Sequence, residues 1–170
     1  MSQREELEKL AKACEECVGK DAASLDEHLE KCPECQEYKM KAEKINQMME
    51  AVHMLASKSE EERRNILGAR MEQFSTMPED KRITAIRDML DSIAELSEED
   101  RIKIVKTRTD IMTSLPKQKK EILMGTLKKV MAGWSQERKM MEKHAVMAAT
   151  QDYFILKRIM VRMMFKKMLE

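Results

Sequence analysis

Aromatic residues are nearly missing from this chain: three Phe, two Tyr and one Trp among 170 residues. Sheet cores lean on aromatic and β-branched side chains, so this scarcity argues against a β-rich domain. It also removes most of the stacking platforms that a single-strand nucleic-acid binder uses. Glycine and proline are scarce as well, at 4 and 3, and no glycine-rich phosphate loop can be found. No run of 18 apolar residues occurs, so no membrane-spanning helix is expected. The opening MSQREELEKL lacks the apolar stretch of a secretory signal. A reducing cytoplasm is therefore the expected compartment, where clustered cysteines serve as metal ligands or redox groups more often than as structural disulfides. Ser/His/Asp and isolated carboxylate-pair constellations are also missing, so no enzyme is expected.

What the chain does have is charge. Charged residues make up 37% and hydrophobic ones 42%, the balance of long helices with polar outer faces. The expected fold class is all-α. The net charge is only +1, but it is unevenly spread. Residues 1–58 carry nine basic and thirteen acidic residues, whereas residues 135–170 carry eight basic and four acidic. An acidic front and a basic tail can steer the chain toward a charged partner.

An ungapped repeat of 19 residues runs through residues 59–153. The first position alternates Ser59, Pro78, Ser97, Pro116, Ser135; the fifth is always basic (Arg63, Arg82, Arg101, Lys120, Lys139); the last is Met77, Leu96, Leu115, Trp134 or Tyr153. The alternation makes a unit of 38 residues containing two helices. Ser59 with Glu62, and Ser97 with Asp100, resemble capping boxes, and Pro78 and Pro116 suit a first helical turn. Apolar residues then recur at helical spacing, as in Ile83, Ile86, Met89, Leu90, Ile93 and Leu96. Helices of about 15 residues span roughly 22 Å, and short turns predict antiparallel hairpins stacked into a solenoid or bundle that is HEAT-like in this general sense. A basic residue in a helix's first turn opposes the macrodipole. The expected compensation is acidic neighbours, or the last carbonyls of the preceding helix.

All four cysteines fall within 22 residues: Cys14-x-x-Cys17 and His28-x-x-x-Cys32-x-x-Cys35. Two Cys-x-x-Cys pairs and a histidine supply soft ligands at spacings that a tetrahedral metal accepts. Ser24 and Glu27 form a capping box that starts a helix carrying His28 and Cys32 on one face. Pro33 ends it, and Cys35 opens the next helix, over about 34–57. Five ligands compete for four places, so either four cysteines, or His28 with three of them, complete the site. Zinc is the expected metal, with an iron–sulfur cluster as the alternative. A spare thiol beside a bound metal would suit a redox switch.

The stretch LDEHLEKCPECQEYKMKAE resembles the His-x-x-x-Cys-x-x-Cys element of zinc-finger anti-sigma factors. That resemblance covers about residues 7–50. It implies a small helical domain that grips a partner protein, with His28, Cys32 and Cys35 as ligands and Cys14 or Cys17 as the fourth.

The tail is rich in methionine: seven of the chain's 18 lie within residues 140–168. Methionine is flexible and polarizable, and it suits adaptable binding surfaces as well as cores. The last helix, FILKRIMVRMMFKKMLE, is apolar around much of its circumference. Its candidate partner-binding residues are Met160, Met163, Met164, Phe165 and Met168, with Lys157, Arg158 and Arg162 as a basic stripe. The expected organisation is a metal module (1–57), a helical array (58–153) and a C-terminal helix (154–170), the last either separate or continuous with a long bent helix from 136.

These readings together predict a regulatory or accessory protein that docks on a larger protein or enzyme complex. Alternatives are a redox- or oxygen-responsive regulator and a nucleic-acid-binding regulator; self-association through the tail is a further possibility.

Overall fold

The computed structural model describes residues 33–169. Every regular element among them is an α-helix, which makes the fold all-α: α1 (Pro33–Ser57), α2 (Glu60–Thr76), α3 (Glu79–Ala94), α4 (Glu98–Ser114), α5 (Lys117–Ala132), α6 (Gln136–Ala149) and α7 (Ile155–Leu169). The chain divides into two compact units, Met1–Ala51 and Val52–Glu170. In the first, the described part is helix beginning at Pro33, where the ring's fixed φ suits a first helical position. Ile45 is buried there. No helix among the described residues is long and apolar enough to cross a membrane.

The second unit holds the 19-residue repeats, and each repeat start is a helix start. Ser59 accepts a hydrogen bond from the Glu62 amide while the Glu62 side chain accepts from the Ser59 amide, a complete capping box. Ser97 accepts from the Asp100 amide and Ser135 from the Arg138 amide. Pro78 and Pro116 sit at the cap itself, with φ of −52° and −54°, and make no side-chain cap bond. Their rings instead pre-set the entry into the helix.

The recurring basic residue turns back on itself. Arg63 Nη1 donates to the carbonyls of Ala56 (3.0 Å) and Lys58 (3.0 Å), Arg82 Nη1 to Met77 (2.8 Å), Arg101 Nη1 to Ala94 (3.2 Å), and Lys120 Nζ to Thr113 (2.8 Å). Each of these four cations in a helix's first turn therefore serves the preceding turn or helix end, where free carbonyls and the negative dipole end welcome it. The charge that opposes its own helix is explained by the helix before it.

Cross-helix packing follows a longer step. The most extensive contacts join alternate helices: α2 with α4, α3 with α5, α4 with α6, and α5 with α7. Consecutive helices, separated mostly by two or three residues, meet far less. Antiparallel pairing is visible between α3 and α5, where Glu79 at the start of one pairs with Lys129 near the end of the other. A second bond recurs at the 19-residue period. Arg63 Nε donates to Thr107 Oγ1 (3.0 Å), and Arg82 Nε to Thr126 Oγ1 (2.7 Å). Both periods are thus present: the caps alternate over 38 residues, and the arginine–threonine bond repeats over 19. The same offset from Arg101 reaches Ala145, which has no hydroxyl. Arg101 Nη1 contacts the Met141 sulfur at 3.3 Å instead, and its buried Nε has no hydrogen-bond partner in the structure.

The core is aliphatic and methionine-rich. Leu90, Ile93, Ile104, Val105, Leu123, Met131 and Val161 are almost completely enclosed, and Met71, Met89 and Met112 are buried with them. One ion pair lies inside this core, between Arg108 of α4 and Glu142 of α6, both buried.

A single long helix from 136 is corrected here. α6 ends at Ala149, a turn follows, and α7 starts at Ile155. Phe154 takes the place that Ser or Pro holds in earlier repeats: its carbonyl accepts from the Arg158 amide (3.0 Å), as Ser59 does from Arg63. Arg158 Nη2 then reaches back to the Tyr153 carbonyl (3.1 Å). The repeat persists for one more unit after its serine–proline signature is lost.

Candidate functional site

The tail helix is apolar on two adjoining stripes. One stripe, Val161, Phe165 and Met168, is buried in the core. The other, Leu156, Ile159, Met160, Met163 and Met164, lines an open groove of about 410 Å³. Met124, Lys120 and Thr113 form the other wall, and Lys167 lies at the end. Spacings of three and four residues keep the second stripe on one side of the helix. From Leu156 to Lys167 it runs about 17 Å. Phe154 (73% exposed), Leu156 (68%) and Met163 (60%) leave a large apolar patch open to solvent. The groove's lining includes two lysines and no carboxylate.

A polar clamp sets where this helix begins. Tyr153 Oη donates to Asp110 Oδ1 (2.7 Å), and Lys157 Nζ donates to the same oxygen (2.5 Å). Lys157 Nζ also stands 3.9 Å from the centre of the Tyr153 ring, a cation–π distance. Burial pushes the Asp110 carboxyl up, but the bonds from Lys157 and Tyr153 outweigh it and hold it below the ordinary aspartate value. Burial, then the bond to Asp110, raises the Tyr153 hydroxyl well above its ordinary value, so it stays a donor. On α6, Arg138 Nη2 donates to the Leu90 carbonyl (2.6 Å) and meets Asp91 at 3.3 Å. Burial is the main cause of the raised Asp91 carboxyl.

The sequence-predicted partner residues therefore separate into three groups. Met160, Met163 and Met164 line the groove. Phe165 and Met168 are buried in the core and are not available to a partner. Lys157 and Arg158 are occupied in the clamp and the carbonyl bond, while Arg162 stands exposed. Sequence reasoning missed Met124, Leu156 and Ile159. The 3-and-4 spacing of Leu156 and Ile159 with Met160 and Met163 could have found the last two; Met124 lies on another helix and carries no such signal.

Among the predicted metal ligands, Cys14, Cys17, His28 and Cys32 lie outside the described residues. Cys35 falls in the first turn of α1. Among the described residues, no group of three or more Cys, His, Asp or Glu is placed to hold a metal.

Comparison with known proteins corrects one expectation. The resemblance to zinc-finger anti-sigma factors is overturned, because no such family matches and the family that does match runs from residue 22 through the helical repeats. No curated protein and no solved structure matches the chain. Residues 22–125, more than half of the sequence, match the family described as Protein of unknown function (DUF3106), and the chain belongs to that family.

Proposed function

We propose that this is a regulatory or accessory protein whose repeat bundle docks an amphipathic helix of a larger protein in the groove between α5 and α7. The observation that carries this reading is the 410 Å³ groove, walled by four methionines, Leu156 and Ile159. Methionine-rich grooves adapt to helices that present apolar residues at i, i+3, i+4 and i+7. The groove's length fits a guest of about three helical turns. Charge selects the guest's flanks: Lys120 and Lys167 at the groove, with Arg162 nearby, favour a helix bordered by Asp and Glu.

The test uses the full chain and synthetic helices of roughly 12 residues with one apolar stripe and either acidic or basic flanks, followed by fluorescence anisotropy. Saturable binding of the acidic helix, weakened by salt and abolished by Met163→Glu, is expected. Equal binding of both helices, adsorption to anionic vesicles in their place, or self-association that closes the groove would overturn it.

A second reading concerns the cysteines. Their confinement to residues 14–35, with His28 among them, supports a zinc-binding module, with an iron–sulfur cluster as the alternative content. Metal analysis and an absorption spectrum of anaerobically purified protein decide it. One zinc per chain supports the reading, broad visible absorption replaces zinc by iron–sulfur, and metal-free protein removes it. Zinc released by mild peroxide would extend the reading to a redox-responsive regulator.

A further inference from the structure

We infer that Met160 and Met163 are oxidation sites that release the partner helix from the groove. This rests on the docking reading above and adds its regulation. The methionines of this fold differ in access, and Met40, Met54, Met140 and Met147 are exposed besides those of the groove. Met71, Met89, Met112 and Met131 are each no more than 8% exposed, whereas Met160 is 47% and Met163 60% exposed. Met160, Met163 and the half-buried Met164 are the α7 methionines that line the groove, and the two exposed ones lie one turn apart. An exposed thioether reacts with a hydroperoxide by direct oxygen transfer. With hydrogen peroxide, a sulfur lone pair attacks one oxygen, the O–O bond breaks, the proton on the transferred oxygen passes to the departing hydroxide, and the products are sulfoxide and water. The sulfur is oxidised by two electrons and the peroxide is reduced by two. No protein base is needed, so access alone decides which methionine reacts first.

The consequence follows from the groove's chemistry. A sulfoxide is polar and chiral where the thioether was apolar and flexible. The groove offers two ammonium donors, Lys120, which already gives one N–H to the Thr113 carbonyl, and Lys167 at its end. A sulfoxide under an apolar helix loses its water and regains a donor only where it reaches one of these lysines, which weakens docking. The core methionines stay reduced, so the bundle itself survives the change. The device is reversible, because methionine sulfoxide reductases restore the thioether.

The experiment treats the full chain with limiting hydrogen peroxide, then with dithiothreitol, which reverses disulfides and leaves sulfoxides in place. Peptide mass mapping reads the order of oxidation, and anisotropy reads binding of the acid-flanked probe helix. Met160 and Met163 are expected to gain oxygen before Met71, Met89, Met112 and Met131, with probe affinity falling about tenfold or more. The double variant Met160→Leu/Met163→Leu should bind the probe before peroxide and keep binding after it. Oxidation without loss of probe binding, or equal loss in the leucine variant, would overturn the inference while leaving the docking reading intact. Failure of the untreated protein to bind any probe would instead sink the docking reading, and the inference with it.

Discussion

In two of the repeats a single hydroxyl ties distant helices together. Thr107 and Thr126 each accept from the Nε of an arginine 44 residues earlier, in a buried setting. Replacing Thr126 by Val keeps the shape but leaves Arg82 Nε without an acceptor, and an orphaned buried donor costs about 1–3 kcal/mol. Thr126→Val is therefore expected to lower the unfolding free energy read from urea titration by that amount in the parent. In an Arg82→Leu background the same change should cost much less, because the donor is gone. Equal costs in both backgrounds would show that the bond carries no stability. Ala145 is the natural counterpart: the third site of the series lacks the oxygen, and Arg101 Nε is orphaned there. At this scale the sequence was only half readable. The fifth-position cations and their carbonyl acceptors could be anticipated, because the acceptors are five to seven residues away. The threonines could not, since nothing local marks a residue 44 positions on.

Helix boundaries were far more legible, because caps are local chemistry. Ser59 with Glu62, Ser97, Pro78 and Pro116 marked the starts of α2 to α5 from spacing alone. The start of α7 escaped because Phe154 carries no cap signature, although Tyr153 and Arg158 kept their places in the repeat. That boundary is held by the Asp110 clamp, and the clamp depends on pH. The folded carboxyl lies below its ordinary value of about 3.9, so its contribution is complete above that pH and is lost as pH falls through the lower folded value. The Asp110→Asn variant should be less stable than the parent at pH 7, with the difference shrinking below about pH 4. Thermal melts of both proteins across that range test this; a difference that stays constant to pH 2 would remove the clamp from the account.

At the scale of the whole molecule, the Arg108–Glu142 pair matters most, because it lies where α4 and α6 meet in the core. A buried pair is costly to form and costlier to break. Glu142→Gln strands the Arg108 charge and is expected to cost about 3–5 kcal/mol. Replacing both residues together, Arg108→Met with Glu142→Leu, should return most of that loss or exceed the parent, since an apolar pair needs no desolvation. A double variant as unstable as the single one would mean that the pair does more than balance charge. The cysteine cluster proposed to bind metal differs at this scale: its spacing is legible in sequence, while four of its five candidate ligands lie outside the described residues.

The threonine ladder described for Arg63 and Arg82 stops at Ala145, short of the last two helices. Besides their apolar core contacts, α6 and α7 are held to the rest by polar contacts other than the arginine–threonine bond: the Arg108–Glu142 pair, Arg138 on Leu90 and Asp91, and the Asp110 clamp. The attachments through Asp91 and Asp110 loosen when acid protonates those carboxylates, whereas a hydroxyl ladder has no such proton to gain. Amide exchange would then find its first cooperative opening in this pair of helices. The groove borders that segment, so a guest helix would meet the most easily loosened part of the second unit and slow its exchange more than elsewhere among the described residues.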